Sequence, residues 1–368
     1  MKIHIAETGV YELTKVSDIE SPQPPIIIPE PEHPKPESNL KELFSNPKLW
    51  SKPVEIFEFD EPQGGGFATI WNGKEFVHFQ QDRSGGKIRV WTSDDGMNIK
   101  RINQRNAFVY DERGGRVNGQ LSDVKWYNEK FYGLAKVDKE IYTVLCDDPN
   151  ADKLRFNIQS HVKINGARDT THALTYHDGI WMIHGRKRGQ QDWGKVDEIL
   201  MDRRGVRVMY SSEFAGIYTE IHPIDPVKEQ SGYATNQMRY DYYSCRTAVI
   251  NDELVIGISC FAKNSERIPS TRLERKSGTG HIYPIFRIGD EILFHSNTIV
   301  PSAPFKRHTT WKEAKMYEPE IGQMYCYGIV FDGKKVKLYF NNRWDTHYLM
   351  KKEDNYPNVK VYMIEATL

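Results

Sequence analysis

The sequence has no excess of either charge and no long apolar run. Lysine plus arginine number 50 and aspartate plus glutamate also number 50, so the formal net charge is zero. A protein that holds nucleic acid by charge carries a basic excess on some segment, and none is present. No stretch approaches the roughly 20 apolar residues of a membrane-spanning helix. We therefore expect neither nucleic-acid binding nor a membrane span.

Cysteine is scarce, and its spacing matches no known metal or redox motif. The four cysteines are Cys146, Cys245, Cys260 and Cys326, and none forms a C-x-x-C pair. Cys245 and Cys260 fit adjacent strands, but reduced buried thiols are the expected state. We predict no metal and no cofactor. A basic segment followed by an apolar run is also missing at the N-terminus, which predicts synthesis in the cytoplasm without a secretory signal.

Composition divides the chain into three regions. Residues 1–20 alternate apolar and polar side chains, which predicts one or two short strands that anchor the chain. Residues 21–50 contain a proline-rich stretch, which predicts an extended spacer, and then a short helix ended by Pro47. Residues 51–368 form the large body. A small head on a stiff stalk predicts attachment through residues 1–38 to an oligomer or to a larger assembly such as a phage particle.

The body repeats one pattern: an apolar strand, a polar or glycine-containing turn pair, and an aromatic-rich strand. The turn pairs, such as Asn72–Gly73 and Asp178–Gly179, are those expected between antiparallel strands. The repeats start near residues 68, 123, 171, 246 and 325, at the spacing of propeller blades. This pattern predicts an all-β fold, a five-bladed β-propeller. Residues 54–59 and the last strand of the chain are expected to share one blade and close the ring.

Two motifs carry a resemblance to a known family. Arg168–Asp169 precedes an inner strand and is followed by the turn Asp178–Gly179 and by Trp181, which resembles the Arg-Asp-Pro motif of invertase-like enzymes with Thr170 in place of proline. The turn Ser93–Gly96 resembles the Ser-x-Asp-Gly turn of sialidases and other sugar-active propellers, and this motif is structural. In pattern, the body resembles the five-bladed glycoside hydrolase propellers of the invertase and arabinanase type.

The resemblance implies a site at the beginning of the inner strands, near the central axis, where two or three carboxylates act on a carbohydrate. Matching positions give Asp123 and Asp169 as catalytic candidates, with Asp241 as a third. The substrate-binding candidates carried by the same positions are Arg168, His172, Phe67, Tyr243, Arg246 and Tyr325. Two expected carboxylates are replaced, one by the glycines of Gly64–Gly66 and one by Ser244. These losses favour sugar binding over hydrolysis.

Structural interpretations remain open beside the functional ones. Asp169 is also explained as a turn cap paired with an arginine, and Asp123 as ordinary turn chemistry after Ser122. His184 fits a hydrogen-bonded core residue, and metal ligation by His172 or His184 is disfavoured. The first hypothesis is therefore a glycan-recognising propeller carried by an assembly such as a virion. The others are a glycoside hydrolase using Asp123 and Asp169, and a purely structural propeller.

Overall fold

The computed structural model describes most of the body of the chain. The residues described are 40–60, 65–82, 87–164, 172–188, 204–220, 238–264, 281–288, 291–293, 325–342 and 358–368. The predicted N-terminal strands and the proline-rich stretch lie outside them. Among the described helices, none is long and apolar enough to cross a membrane.

Among the residues described, twenty strands group into five antiparallel units of four strands each. Units 1 and 2 consist of β2 (Gly65–Trp71), β3 (Phe76–Asp82), β4 (Ile88–Ser93) and β5 (Lys100–Tyr110), and of β7 (Gly119–Tyr127), β8 (Lys130–Val137), β9 (Glu140–Cys146) and β10 (Lys153–Val162). Units 3 and 4 consist of β11 (Ala173–His177), β12 (Ile180–Arg188), β13 (Arg204–Ser211) and β14 (Thr219–Glu220), and of β15 (Met238–Ile250), β16 (Glu253–Asn264), β17 (His281–Ile288) and β18 (Glu291–Leu293).

Unit 5 is built from both ends of the body. Its strands β19 (Cys326–Phe331), β20 (Lys335–Asn342) and β21 (Lys360–Thr367) are joined by β1 (Val54–Glu58), which pairs antiparallel with β21 from Val54 opposite Met363. The first described strand therefore completes the last sheet. This is the closure that the sequence predicts, and it pairs the free edge of β21.

The first strand of each unit contacts the first strand of the next, in the order β2, β7, β11, β15 and β19, and β19 contacts β2 again. The units thus form a closed ring around their first strands, which we call the inner strands. The prediction of an all-β propeller is confirmed.

Hairpin turns carry the backbone conformation that the sequence pairs indicate. Asn128 and Glu129 have φ values of 46° and 58°, and Asn251 and Asp252 have 49° and 63°. Positive φ at both central residues matches the twist of the flanking strands, and Asn and Asp tolerate it. The local sequence therefore fixes where each inner strand ends.

Apolar side chains fill the spaces between neighbouring units. Units 1 and 2 share a core that includes Phe79, Phe131 and Phe156, while Leu134, Leu174 and Ile183 belong to the core between units 2 and 3. Alternation along each strand directs its side chains in turn towards the two neighbouring units.

Units 1 and 2 are also joined at their outer edges. β10 pairs parallel with β5, from Lys153 opposite Asn106 to Asn157 opposite Tyr110, and the short strand β6 (Arg116–Val117) pairs with the same β5. The two units thereby form one nine-stranded sheet. This parallel pairing leaves neither outer strand as an open edge there.

A short helix packs under units 4 and 5. Helix α1 (Leu40–Ser45) buries Leu40, Leu43 and Phe44, and a 3₁₀ turn follows at Pro47–Leu49. The Phe44 ring lies 4.9 Å from that of Phe286, and the Trp50 indole N–H donates to the Leu43 carbonyl. The helix expected before Pro47 is present, but its residues pack with the propeller, whereas the sequence grouped them with the linker.

Candidate functional site

A set of polar contacts joins the inner strands to one another around the axis. Three of these strands carry a β-bulge near their beginning, with Ser122, Tyr243 and Tyr327 as the extra residues. Bulges re-aim the side chains next to them. The bulges lie where the sequence predicts the site, so they determine what Asp123 and its neighbours face.

Asp123, the first predicted carboxylate, is buried and joins units 2 and 3 by a hydrogen bond. Its side chain accepts hydrogen bonds from the backbone N–H of Val124 at 3.0 Å and of Leu174 at 2.9 Å. The Lys125 ammonium lies 3.2 Å from the same carboxylate. Asp123 is only 3% exposed. Both carboxylate oxygens are therefore committed to protein donors.

Lys125 reaches across the ring. Alternation along β7 puts it on the same side as Asp123, and its ammonium donates to the Thr247 carbonyl of unit 4 at 2.6 Å. The bond joins units 2 and 4, which are not neighbours in the ring. The side chain of one unit thus bridges the axis at the level of Asp123 and Thr247.

Hydroxyl groups and an arginine continue these contacts through units 3, 4 and 5. The Thr175 hydroxyl donates to that of Thr247 at 2.6 Å, and Thr247 donates to the Leu174 carbonyl at 3.0 Å. Arg246, a predicted substrate-binding residue, donates through Nε to the Tyr327 carbonyl at 3.1 Å and is 3% exposed. Its described hydrogen bonds go to the backbone carbonyls of Tyr327 and Cys245, and the bond to Tyr327 joins units 4 and 5.

Tyrosine and glutamine side chains complete the contacts around unit 1. The Tyr327 hydroxyl donates to the Gly65 carbonyl at 2.9 Å and accepts from the Asn341 amide at 3.1 Å. Gln81 donates to the Gly119 carbonyl at 2.7 Å and accepts from the Leu121 N–H at 2.9 Å. Every pair of neighbouring units is thus joined by polar bonds at or beside the inner strands.

The other predicted site residues lie at the expected ends of inner strands, in differing environments. Phe67 is 1% exposed and packs 6.0 Å from the Tyr327 ring, so its ring belongs to the core between units 5 and 1. Tyr325 is half-buried immediately before β19, and its N–H donates to Asn341. His172 is fully buried directly before β11.

Four further candidates belong to β15 or precede β11 in the sequence. Asp241 and Tyr243 lie in the first half of β15, where Asp241 pairs with Phe261. Arg168 and Asp169 lie outside the described residues. The geometry between Asp123 and Asp169, which hydrolysis by this pair requires, therefore stays a prediction, as do the roles of all the proposed site residues.

Two buried imidazoles lie near this region without contributing to its surface. His78 is hydrogen-bonded to the Thr69 hydroxyl at 3.0 Å and to that of Ser93 at 2.7 Å, and burial lowers its pKa to about 3. Burial, with smaller contributions from Lys125 and Arg287, lowers the pKa of His184 to about 3. Both side chains are neutral at physiological pH, and neutral histidines of this kind are core residues, as expected for His184.

Two buried thiols in the same region, Cys245 and Cys326, are also unreactive. Cys245 is free, and its Sγ donates to the His184 carbonyl across the space between units 3 and 4. Burial raises the pKa of Cys245 to about 12, and it raises that of Cys326 to the same value. Thiolate chemistry at these two positions is therefore disfavoured.

The Ser93–Gly96 turn has the structural role that the sequence assigns to it. Asp95 accepts hydrogen bonds from the N–H groups of Met97 and Asn98, both at 2.8 Å, and the backbone bonds contribute to a lowered pKa of its carboxyl group. Gly96 has φ of 75°, and the buried Tyr339 hydroxyl donates to its carbonyl. The turn connects unit 1 to unit 5.

The sequence missed Lys125 and Thr247. The signal for Lys125 was its position two residues after Asp123, which places both side chains on one side of a strand. Nothing local indicates Thr247, because its partners are 72 and 122 residues away. Within the described ranges, no group of three or more metal-ligating side chains converges.

Comparisons with known proteins give only distant likenesses. No protein-family model matches the sequence, and no curated protein matches it. An N-acetylgalactosamine deacetylase from F. plautii, solved with blood group B trisaccharide, aligns at 10% identity over 87% of this chain and 95% of that chain, with a TM-score of 0.47. A GH43_1 enzyme from Xanthomonas citri aligns at 9% identity over 86% and 90%, with a TM-score of 0.45.

A third solved structure, an α-L-arabinofuranosidase from Fusarium graminearum in complex with an iminosugar inhibitor, aligns at 12% identity over 86% of this chain and 98% of that chain. Its TM-score is 0.43. All three scores lie below one half at very low identity. The likeness is therefore too weak to assign a family or an activity.

Proposed function

We propose that the chain is a glycan-recognising propeller that binds a saccharide at the beginning of its inner strands and does not cleave it. The observation that carries this proposal is the state of Asp123. Its carboxylate is 3% exposed, accepts two backbone hydrogen bonds and lies 3.2 Å from an ammonium. These contacts support a role for Asp123 in the architecture of the site rather than in a reaction.

Glycoside hydrolysis sets requirements that Asp123 does not meet. The acid must give a proton to the glycosidic oxygen, and the two carboxyl groups must flank the bond about 5–9.5 Å apart. The Asp123 oxygens face Val124, Leu174 and Lys125 instead of an open space. Releasing them would leave two buried N–H groups and one ammonium without their acceptor, which is costly.

Recognition needs less from the same region. A binding site requires only a recess with a few oriented polar groups and ring faces. The half-buried Tyr325 lies at the beginning of an inner strand, and the Arg168–Asp169 motif directly precedes another in the sequence. The sequence resemblance to sugar-active propellers supports a carbohydrate as the ligand.

A glycan-array screen of the full-length protein, with released sugar measured in parallel, tests the proposal. We expect binding without release, and we expect Asp169→Asn to weaken the binding. Asp152→Asn is the matched control, because Asp152 is an exposed aspartate in a loop of unit 2. Release that Asp169→Asn abolishes would establish the hydrolase alternative. Neither binding nor release across a broad array would favour a purely structural propeller.

We further propose that residues 1–38 attach the propeller to a larger assembly, such as a phage particle, and that the protein is made in the cytoplasm and becomes virion-associated. The proline-rich sequence between residues 21 and 36 supports this, because such segments act as stiff spacers. Deleting residues 1–38 is expected to leave a folded propeller that no longer joins the particle. Normal incorporation of the shortened chain would overturn this part of the proposal.

A further inference from the structure

Five aromatic rings meet at the other end of the inner strands, where β7 and β11 finish. We call this set, formed by Tyr127, Tyr132, Tyr176, Trp181 and Phe214, the aromatic platform. Trp181 is its centre: the rings of Tyr132, Tyr176 and Phe214 lie 4.9, 4.8 and 4.9 Å from it. Tyr127 and Tyr176 are 4.3 Å apart and bridge units 2 and 3.

The platform is both rigid and accessible. Trp181 is 5% exposed and supports four rings that each remain half-buried. The rings of Tyr127 and Tyr176 pack directly against each other at 4.3 Å. The turn residues that follow the two tyrosines, Glu129 and Asp178, have φ values of 58° and 50° and belong to tight hairpins. Binding would therefore order few additional groups.

Acidic and polar groups adjoin the rings. Glu129 and Asp178 are exposed in the two turns, and the Asp178 side chain is 82% exposed. The nearby Lys130 is committed to Asp147 at 2.7 Å. The buried Nε2 of His177 lies 3.7 Å from Asp178, beyond hydrogen-bond distance, and has no hydrogen-bond partner among the described residues. Two exposed carboxylates thus lie in the hairpin turns that directly follow the strands carrying Tyr127 and Tyr176.

This combination fits a saccharide. A pyranose ring presents a face of C–H groups that packs on an aromatic face, and a rim of hydroxyls that donate to carboxylates. The same carboxylates disfavour a uronate or another anionic sugar by charge repulsion. A protein partner is a poorer fit, because beside the platform only Ile180 and Ile217 are exposed large aliphatic residues among those described.

We propose that the aromatic platform binds a neutral saccharide, as a second glycan site separate from the one at the beginning of the inner strands. The inference shares its ligand class with the proposed function but rests on different residues at the opposite end of β7 and β11. Stacking on the tyrosine faces supplies the contact area, and Glu129 and Asp178 orient the hydroxyls.

The test measures binding of methyl glycosides of galactose, glucose, mannose, xylose and arabinose to the full-length protein, with galacturonate and glucuronate as anionic counterparts. Saturation-transfer NMR and titration of tryptophan fluorescence report contact with the platform. Tyr176→Ala removes one stacking ring, and the half-buried Tyr362 of unit 5 supplies the matched control Tyr362→Ala. Asp178→Asn changes an exposed turn residue and leaves the fold intact, so it keeps the test valid if Tyr176→Ala unfolds.

We expect Tyr176→Ala to weaken binding of the neutral glycoside about tenfold and Asp178→Asn to weaken it about threefold, whereas Tyr362→Ala leaves it unchanged. The uronates should bind at least about tenfold more weakly than their neutral counterparts. Sugar binding that Asp169→Asn abolishes and that both platform variants retain would overturn this inference while upholding the proposed function. Binding that depends on the platform alone would uphold the inference and overturn the proposed site. No sugar binding at all would overturn both.

Discussion

Lowering the pH from 7.5 to about 5 should destabilise the folded protein through two buried imidazoles, His78 and His184. Each has an ordinary pKa of 6.5 in the unfolded chain and a pKa of about 3 in the folded one. The unfolded state therefore binds protons that the folded state does not accept. The stability that the two neutral imidazoles contribute to the folded state is fully present above pH 6.5, and it is lost as the pH falls from there towards about 3.

The size of this loss follows from the interval between the folded pKa of about 3 and the unfolded pKa of 6.5. Each pH unit within it costs about 1.4 kcal/mol per imidazole, so about 2 kcal/mol is lost for each histidine by pH 5 and about 4 kcal/mol for both. The two losses add because the residues lie in different units and share no described partner. Such a loss is a large part of the stability of an ordinary domain.

Urea unfolding at a series of pH values between about 7.5 and 5 measures this loss. In His78→Gln and in His184→Gln the slope of unfolding free energy against pH should fall by about 1.4 kcal/mol per unit, whatever the absolute stability of the variant. His161→Gln is the control, because the side chain of His161 is 41% exposed. If both core variants keep the wild-type slope, the reasoning from burial is refuted.

Three substitutions test the contacts that join the units. Gly96→Ala should cost about 2 kcal/mol or more of unfolding free energy, because the added Cβ would lie 2.5 Å from the Tyr339 hydroxyl and the residue has a positive φ. Gly73→Ala is the control: the site has open space and φ of 89°, so only the backbone strain of about 1 kcal/mol is expected. The difference between the two urea midpoints measures the effect of the clash. Thr175→Val should cost about 1 kcal/mol through the lost 2.6 Å bond to Thr247, and an unchanged thermal unfolding curve would contradict it. Asp123→Asn should destabilise by about 2 kcal/mol, because Lys125 loses its counter-charge, and calorimetry of the purified variant measures the change.

The fold was predictable because its signals are local. Alternating apolar residues define strands, and pairs such as Asn251–Asp252 define the hairpin turns where both residues have positive φ. The closure of unit 5 was also predictable from the sequence, because residues 54–59 and the last strand of the chain both have the composition of strands, and a closed ring combines its first and last strands in one blade. The parallel pairing of β5 with β10 was not, because it depends on how two sheets approach one another and not on either sequence alone.

Residues of the site were predictable in position and much less in environment. Phe67 is the third residue of an inner strand, near its beginning as expected. A core ring and a sugar-stacking ring look identical in sequence, and the burial of Phe67 beside Tyr327 separates the two. Asp123 also lies where predicted. Its backbone partner Leu174 is 51 residues away, and the bulge at Ser122 that aims its side chain has no sequence signature.

The position of Asp123 changes how a loss of function at this residue must be interpreted. Any Asp123 variant removes the acceptor of the Leu174 N–H and the counter-charge of Lys125, whose ammonium spans the ring to Thr247. Inactivity in such a variant therefore follows equally from catalysis and from a distorted ring. Lys125→Met distinguishes the two, because it breaks the bridge across the axis and leaves the carboxylate in place. If the two variants lose glycan binding and stability in parallel, Asp123 acts through the architecture; if Lys125→Met keeps a sugar-releasing activity that Asp123→Asn loses, the carboxylate itself reacts, and the assignment of binding without cleavage is wrong.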